Sequence, residues 1–285
     1  MRVLRYLVPY VLISTFQYYF AKDALNYAAP FPFMAMRYLI SAAIMYGIAR
    51  KLIWNREVLI LSLLTVTSSS LWAYGLIYVT PAQSAVLSYS MPLFSLPIAY
   101  LVIKEKPERI ETMGLVVGLV GVLIYGIPLA HGFTLIGSVL TIVNAVFWAA
   151  FTVYYRKLMD YDPISLNASQ FVVGSIPLVG LSLITPHVQF TGKFLGDLLF
   201  TSVLGGAVGF FLWNSMVRTE KVAKVTIMSF SVPIFATVAQ VVEALAIPSV
   251  YTVTGIGTMF VGIVVSRLKG GIAKVRGEER RAKAR

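Results

Sequence analysis

The chain of 285 residues contains no cysteine. That excludes disulfides, thiolate chemistry and cysteine-ligated metal sites at once. Charge is also scarce: Asp, Glu, Lys and Arg make up 13% of the residues, against about a quarter in soluble domains. So few charges cannot cover a water-exposed surface, whereas a lipid-exposed surface needs none. The only histidines, His131 and His187, sit in polar breaks with no second ligand near them in sequence, so they read as loop residues and no metal is expected. No Gly-x-x-x-x-Gly-Lys-Ser/Thr loop is present, which argues against ATP hydrolysis. No break between apolar runs is long enough for a soluble catalytic domain, and no cofactor is expected.

What the chain has in quantity is apolar sequence, 58% of all residues, with a mean hydropathy of +0.79. A membrane-spanning helix needs about 20 mostly apolar residues. Ten such stretches can be read: Tyr6–Ala21, Phe33–Ala49, Leu59–Val79, Ala82–Ile103, Ile110–Ile127, Leu135–Tyr155, Ile164–Ile184, Leu198–Val217, Val222–Ile247 and Tyr251–Ser266. Short breaks separate them, among them Asn55-Arg56, Thr80-Pro81, Asp162-Pro163 and Ile247-Pro248. A barrel of strands would alternate apolar and polar residues. The run from Gly114 to Ile124 does not alternate, so helices are expected. The first run leads straight into the second without a cleavage signature and reads as the first span.

The net charge of +12 has a positional explanation. With a cytoplasmic N-terminus, all Lys and Arg except Lys22, Arg37 and Lys193 fall on cytoplasmic segments or in the C-terminal tail. The positive-inside rule then predicts that both termini are cytoplasmic, which requires an even number of spans. The basic tail over 268–285 would lie beside anionic lipid of the inner leaflet. Nucleic acid is not an expected partner.

The two halves resemble each other. At an offset of 141, Ser90-Met91-Pro92-Leu93-Phe94 falls on Ser231-Val232-Pro233-Ile234-Phe235, Trp72 on Trp213, Pro107 on Pro248, Gly114 on Gly255 and Gly121 on Gly262. At an offset of 133, Pro30 falls on Pro163 and Tyr38 on Phe171. Two repeats of five helices are expected, over 1–127 and 134–267. Five is odd, so the copies must cross the membrane in opposite senses, the arrangement of many secondary transporters.

These residues resemble the drug/metabolite transporter superfamily in its ten-helix EamA-type branch. Pro30 and Arg37 match its second span, Pro92 and Glu105 its fourth span and the residue before its fifth, and Gly114, Gly118 and Gly121 its glycine-rich fifth span. The second repeat departs from the pattern, with Ala246 at the position of Glu105 and Gln170 at that of Arg37. The resemblance implies a transporter of small organic solutes, often an exporter of amino acids or related metabolites, in the cell membrane.

Charges within spans are costly, about 2.5–3.5 kcal/mol each at a helix centre. Three stand out: Lys22, Arg37 and Glu243. Arg37 reads either as a carboxylate anchor in a central cavity or as a structural residue. Glu243 reads either as a coupling acid or as an interfacial one, and the two could pair. Lipid cannot satisfy the polar groups of Gln17, Tyr18, Ser88, Asn144, Asn214, Ser229 and Gln240, which should face the interior and form the substrate site. Trp72, Tyr74, Tyr89, Trp148 and Trp213 are the aromatic candidates for the same cavity. Pro92 and Pro97 should break the fourth span and Pro233 the ninth, with Pro92 and Pro233 as paired gating positions. The Gly114-x-x-x-Gly118 and Gly205-x-x-x-Gly209 spacings permit close packing, of the fifth span on the tenth or across a dimer.

The first expectation is a secondary transporter of small organic solutes, acting as a monomer or homodimer. Nucleotide-sugar and hydrophobic-cation carriage are alternatives within the same fold. A channel or an intramembrane lipid-modifying enzyme would need a charge ring or a convergent nucleophile, and neither is visible.

Overall fold

The computed structural model describes residues 3–244 and 248–268, with the side chains of 238–244 outside the described part. Glu243 and Gln240 therefore lie outside the described side chains. Among the described residues the chain is helical apart from one antiparallel bridge, Ala28 with Val188. Among the described residues eight stretches are long and apolar enough to cross a membrane, and Val222–Thr237 adds a shorter apolar helix. The remaining rod, α1 (Leu4–Ala24), carries four tyrosines, Gln17 and Pro9, which dilute its apolarity. The protein is a multi-pass, all-helical membrane protein of two inverted five-span repeats.

The first repeat comprises α1, α2 (Pro30–Ala49), α3 (Arg56–Tyr78), a fourth span divided into α4 (Pro81–Ser88) and α5 (Met91–Ile103), and α6 (Arg109–Gly126). The second comprises α7 (Leu135–Lys157), α8 (Pro163–Ser182), an eighth span, a divided ninth span and a tenth. The eighth span runs from α9 (Gly192–Leu199) through a π-helical segment, Phe200–Val208, into α10 (Gly209–Thr219). The ninth divides into α11 (Val222–Met228) and α12 (Ser231–Ala244), and α13 (Val250–Arg267) ends the bundle. The eighth span thus begins at Gly192, ahead of the apolar run, and takes in Lys193 and Asp197. Asp197 is buried, and so is Glu111 near the start of α6, both passed over by a search for apolar runs.

Caps fix the helix starts. Asn55, Thr80, Thr134, Asp162, Thr191 and Ser249 each accept a backbone N–H from their own first turn. At α6 the cap is reciprocal: the buried Glu111 carboxylate accepts the Glu108 N–H at 2.7 Å. The breaks in the fourth and ninth spans fall at Tyr89-Ser90 and Ser229-Phe230. Pro92 and Pro233 follow them within the first turn of the next helix, where a proline is tolerated. Pro97, expected to break the fourth span, lies inside α5, which continues through it.

Repeat-equivalent helices pack on one another. α2 lies against α8 and α6 against α13, while α3 and α5 pack on α7. Tyr38 and Phe171, matched by the internal repeat, meet edge to face at 5.1 Å. The α6–α13 seam is made of glycine. A Cβ on Gly262 would stand 2.7 Å from the Gly114 carbonyl oxygen, and one on Gly121 would stand 2.8 Å from that of Gly255. The backbones therefore touch, and the fifth and tenth spans pack against each other within one chain.

Candidate functional site

The divided spans and the π-helical segment surround one cavity. It lies between the repeats, lined from α1 by Tyr10, Ser14, Gln17 and Tyr18 and from α2 by Arg37. Ser68, Ser69 and Trp72 of α3 continue the wall, with Ser88, Tyr89 and Met91 at the break of the fourth span. The second repeat contributes Asn144, Ala145 and Trp148 of α7, Gly205, Gly209, Phe210 and Trp213 of the eighth span, and Ser229 and Val232 at the break of the ninth. The centre of a water molecule can occupy about 120 Å³ of it.

The local sequence explains this wall. In α1 the positions Tyr10, Ser14, Gln17 and Tyr18 follow a helical spacing, so their polar groups form one stripe away from lipid. Opposite them, the π-helical segment brings Gly205 against Gln17: a Cβ there would stand 2.7 Å from Gln17 Oε1. The segment's carbonyls are partnered from α2. Arg37 Nε donates to Thr201 O at 2.9 Å, and Ser41 Oγ donates to Ser202 O at 2.9 Å. Such irregular helical turns recur at functional sites.

Rings hold each other in place around the cavity. Tyr18 meets Trp72 edge-on at 5.6 Å, and Tyr10 meets Trp213 at 5.1 Å. Trp213 Nε1 donates to Thr152 Oγ1 at 3.1 Å, and Ser68 Oγ donates to Asn144 Oδ1 at 2.7 Å. Arg37 is 2% exposed and has its guanidinium carbon 5.7 Å from the Trp72 ring. Its Nη2 has no hydrogen-bond partner among the described residues.

Of the residues singled out in the sequence, Gln17, Tyr18, Arg37, Trp72, Ser88, Tyr89, Asn144, Trp148, Trp213 and Ser229 line this one cavity. Tyr74 does not; it packs edge-on against Phe31 at 5.0 Å. Nor does Asn214, whose Nδ2 donates to Asn167 Oδ1 at 2.6 Å in a buried amide cluster with Gln170. Tyr10, Ser14, Ser68, Ser69 and Phe210 belong to the wall without having been singled out, although the α1 stripe was legible in its spacing.

The two ends of the bundle differ. The end that carries the start of α1, Lys104, Arg156 and Lys221 is rich in ion pairs. Glu105 Oε2 lies 3.7 Å from Arg156 Nε, and Lys221 Nζ lies 2.7 Å from Glu108 Oε1. Lys224 Nζ is 3.7 Å from the buried Glu111. The Lys221 ammonium holds the Glu108 carboxyl below its ordinary range, and Glu108 in turn pushes the Lys221 ammonium up. Toward the other end a smaller void shares Ser14, Tyr18, Tyr89 and Val232 with the cavity and continues between α1, α4 and α12 to Pro81 and Tyr125.

Known proteins share this arrangement. Residues 5–127 and 135–268 each match the model of the EamA-like transporter family. The "Uncharacterized transporter in sor 3'region" of Acidianus ambivalens is 47% identical over 242 residues, which make up 85% of this chain and 95% of that protein. An uncharacterized transporter of Clostridium kluyveri is 26% identical over 258 residues, 83% of each chain. One solved crystal structure superposes with a TM-score of 0.80 at 18% identity, covering 94% of this chain and 96% of its own, a likeness of fold. The chain belongs to the EamA-like transporter family.

Proposed function

We propose that this protein is a secondary transporter that exports small organic solutes, amino acids or related metabolites, by alternating access at the cavity between its repeats. The observation that carries this reading is the position of the cavity: it lies between inverted repeats, at the breaks of two repeat-equivalent spans. Helices broken at mid-membrane commonly flank transport sites, and inverted repeats give one backbone two nearly equivalent states. The wall suits a solute with an apolar body and a polar end, because rings and hydroxyl or amide groups alternate around it.

The positional bias of Lys and Arg supports cytoplasmic termini, and residence in the cell membrane is supported by membership of the family. No His, Asp or Glu lines the described cavity, which speaks against an intramembrane enzyme with a general base. Nucleotide sugars would call for several cations in the wall, and the described lining offers Arg37.

The test is flux of labelled aromatic and aliphatic amino acids in proteoliposomes of the purified protein, with and without a pH gradient. Saturable flux of one class is expected. Absence of flux for every amino acid, with the protein correctly folded and inserted, would remove the amino-acid reading.

A further inference from the structure

Among the described residues, Arg37 is the one charged side chain in the cavity wall. The guanidinium keeps its charge at neutral pH and is planar, with five N–H donors. Its surroundings account for only part of that capacity. Nε is held by the Thr201 carbonyl at 2.9 Å, Nη1 reaches the weak acceptor Met34 Sδ at 3.8 Å, and Nη2 is buried without a partner. The rings of Trp72 and Phe210 lie 5.7 Å and 6.0 Å from the guanidinium carbon. Ring faces attract a cation but neutralise none of its charge. No described carboxylate lies within ion-pair distance of Arg37.

Among the described residues no carboxylate compensates the buried, fixed Arg37 guanidinium, and such a charge is costly to maintain unless an anion completes it. The Thr201 bond and the two rings hold its plane in one orientation, so a planar acceptor that reaches Nη2 meets a preorganised donor. We infer that the cavity recognises its solute by a carboxylate, which pairs with Arg37 at Nη2 while an apolar body lies among Tyr18, Trp72, Trp148 and Trp213. This deepens the transport reading and rests on it. It also separates solutes by charge. An acid is accepted, and so is an amino acid whose ammonium stays away from Arg37. The matching amine is refused, because it would bring a second positive charge beside the first in a low-dielectric site.

The protein carries its own reporter for a test. Trp72, Trp148 and Trp213 line the cavity, and the fourth tryptophan, Trp54, is 63% exposed. In a Trp54→Phe background, tryptophan emission of the purified full chain reports on the cavity alone. The probes are 3-phenylpropionate, phenylalanine and phenethylamine, which share a ring and differ in charge. The two carboxylates are expected to change the emission saturably, and phenethylamine is not. Arg37→Gln should weaken the response to 3-phenylpropionate by tenfold or more, with Arg37→Lys in between. Arg37 also holds Thr201, so the variants are read beside their circular dichroism and melting curves; the comparison of acid and amine on unaltered Arg37 needs no variant. Equal responses to acid and amine, or saturation by none of the three probes, overturns the inference. Carboxylate binding without flux in proteoliposomes would instead overturn the transport reading and leave this one standing.

Discussion

Glu105 and Val222 join the two repeats at one end of the bundle: Glu105 Oε1 accepts the backbone N–H of Val222 at 2.6 Å. Val222 opens α11, so the carboxylate caps that helix from the other repeat, and Arg156 steadies its second oxygen. The repeat offset of 141 sets Ala246 opposite Glu105 and Pro81 opposite Val222. One lacks the acceptor and the other lacks the N–H, so the symmetry-related bond has neither partner. Glu105→Ala is therefore expected to loosen this end. Ser95, wholly buried between α5 and α11 beside Thr226, serves as a reporter once changed to cysteine in a chain that has no other. Loss of a hydrogen bond to a charged group is worth about 1.5–3 kcal/mol. A membrane-impermeant thiol reagent should then label Ser95→Cys at least about tenfold faster in the Glu105→Ala background. Equal labelling rates would mean that the bond does not hold this end shut.

The glycine seam predicts a matched pair of outcomes on one helix. A Cβ on Gly262 would stand 2.6 Å from the Gly118 nitrogen, whereas one on Gly257 would meet nothing within 4 Å. Gly262→Ala should cost about 1–3 kcal/mol by forcing the backbones apart. Gly257→Ala should be neutral or gain up to about 1 kcal/mol in helix propensity. Thermal unfolding in detergent decides it, since a melt that treats both variants alike is incompatible with the seam.

Glu108 and Lys221 lie at helix starts, outside the spans, and predict a pH profile. The lowered Glu108 carboxyl contributes above its ordinary value and loses that contribution as pH falls through the lowered one. The raised Lys221 ammonium contributes below its ordinary value and loses that contribution as pH rises through the raised one. The pair's contribution should thus be level between about pH 5 and pH 10 and fall at both extremes. Lys221→Met should lower the melting midpoint by a constant amount across that plateau and narrow the gap at either side. A gap that varies within the plateau would contradict the assignment.

Gly205 predicts an effect on the cavity without one on the fold. Its Cβ would meet the mobile end of Gln17, 2.7 Å away, which can yield into the open space beside it. Gly205→Ala should therefore reduce the cavity and weaken the tryptophan-reported response to 3-phenylpropionate, while the melting midpoint stays nearly unchanged. An unaltered response would place the bound solute away from this wall.

Much of the architecture was legible because lipid imposes a strong rule: apolar runs of the right length become spans. The repeat supplied the rest, since Pro92 and Pro233 share an offset and mark both breaks. Facing was harder to read. Trp213 and Asn214 are adjacent, and successive helical residues point about 100° apart, so the tryptophan can line the cavity while the amide turns into a separate cluster. Trp72 and Tyr74, two residues apart, point to opposite sides for the same reason. The π-helical segment had no signal in the apolar pattern, although it carries the Thr201 carbonyl that Arg37 holds. Asp197 and Glu111 were passed over because each lies at the edge of an apolar run, where a charge reads as a boundary; both side chains are nonetheless buried.

Contact between α6 and α13 through bare backbone has a consequence for genetics. A selection for transport would mark Gly114, Gly121, Gly255 and Gly262 as intolerant to change, as strongly as any position that meets the solute. The two kinds of intolerance separate on abundance. Seam substitutions are expected to lower the amount of protein in the membrane, whereas on the proposed transport reading substitutions at Gln17 or Gly205 are expected to leave that amount unchanged and reduce flux.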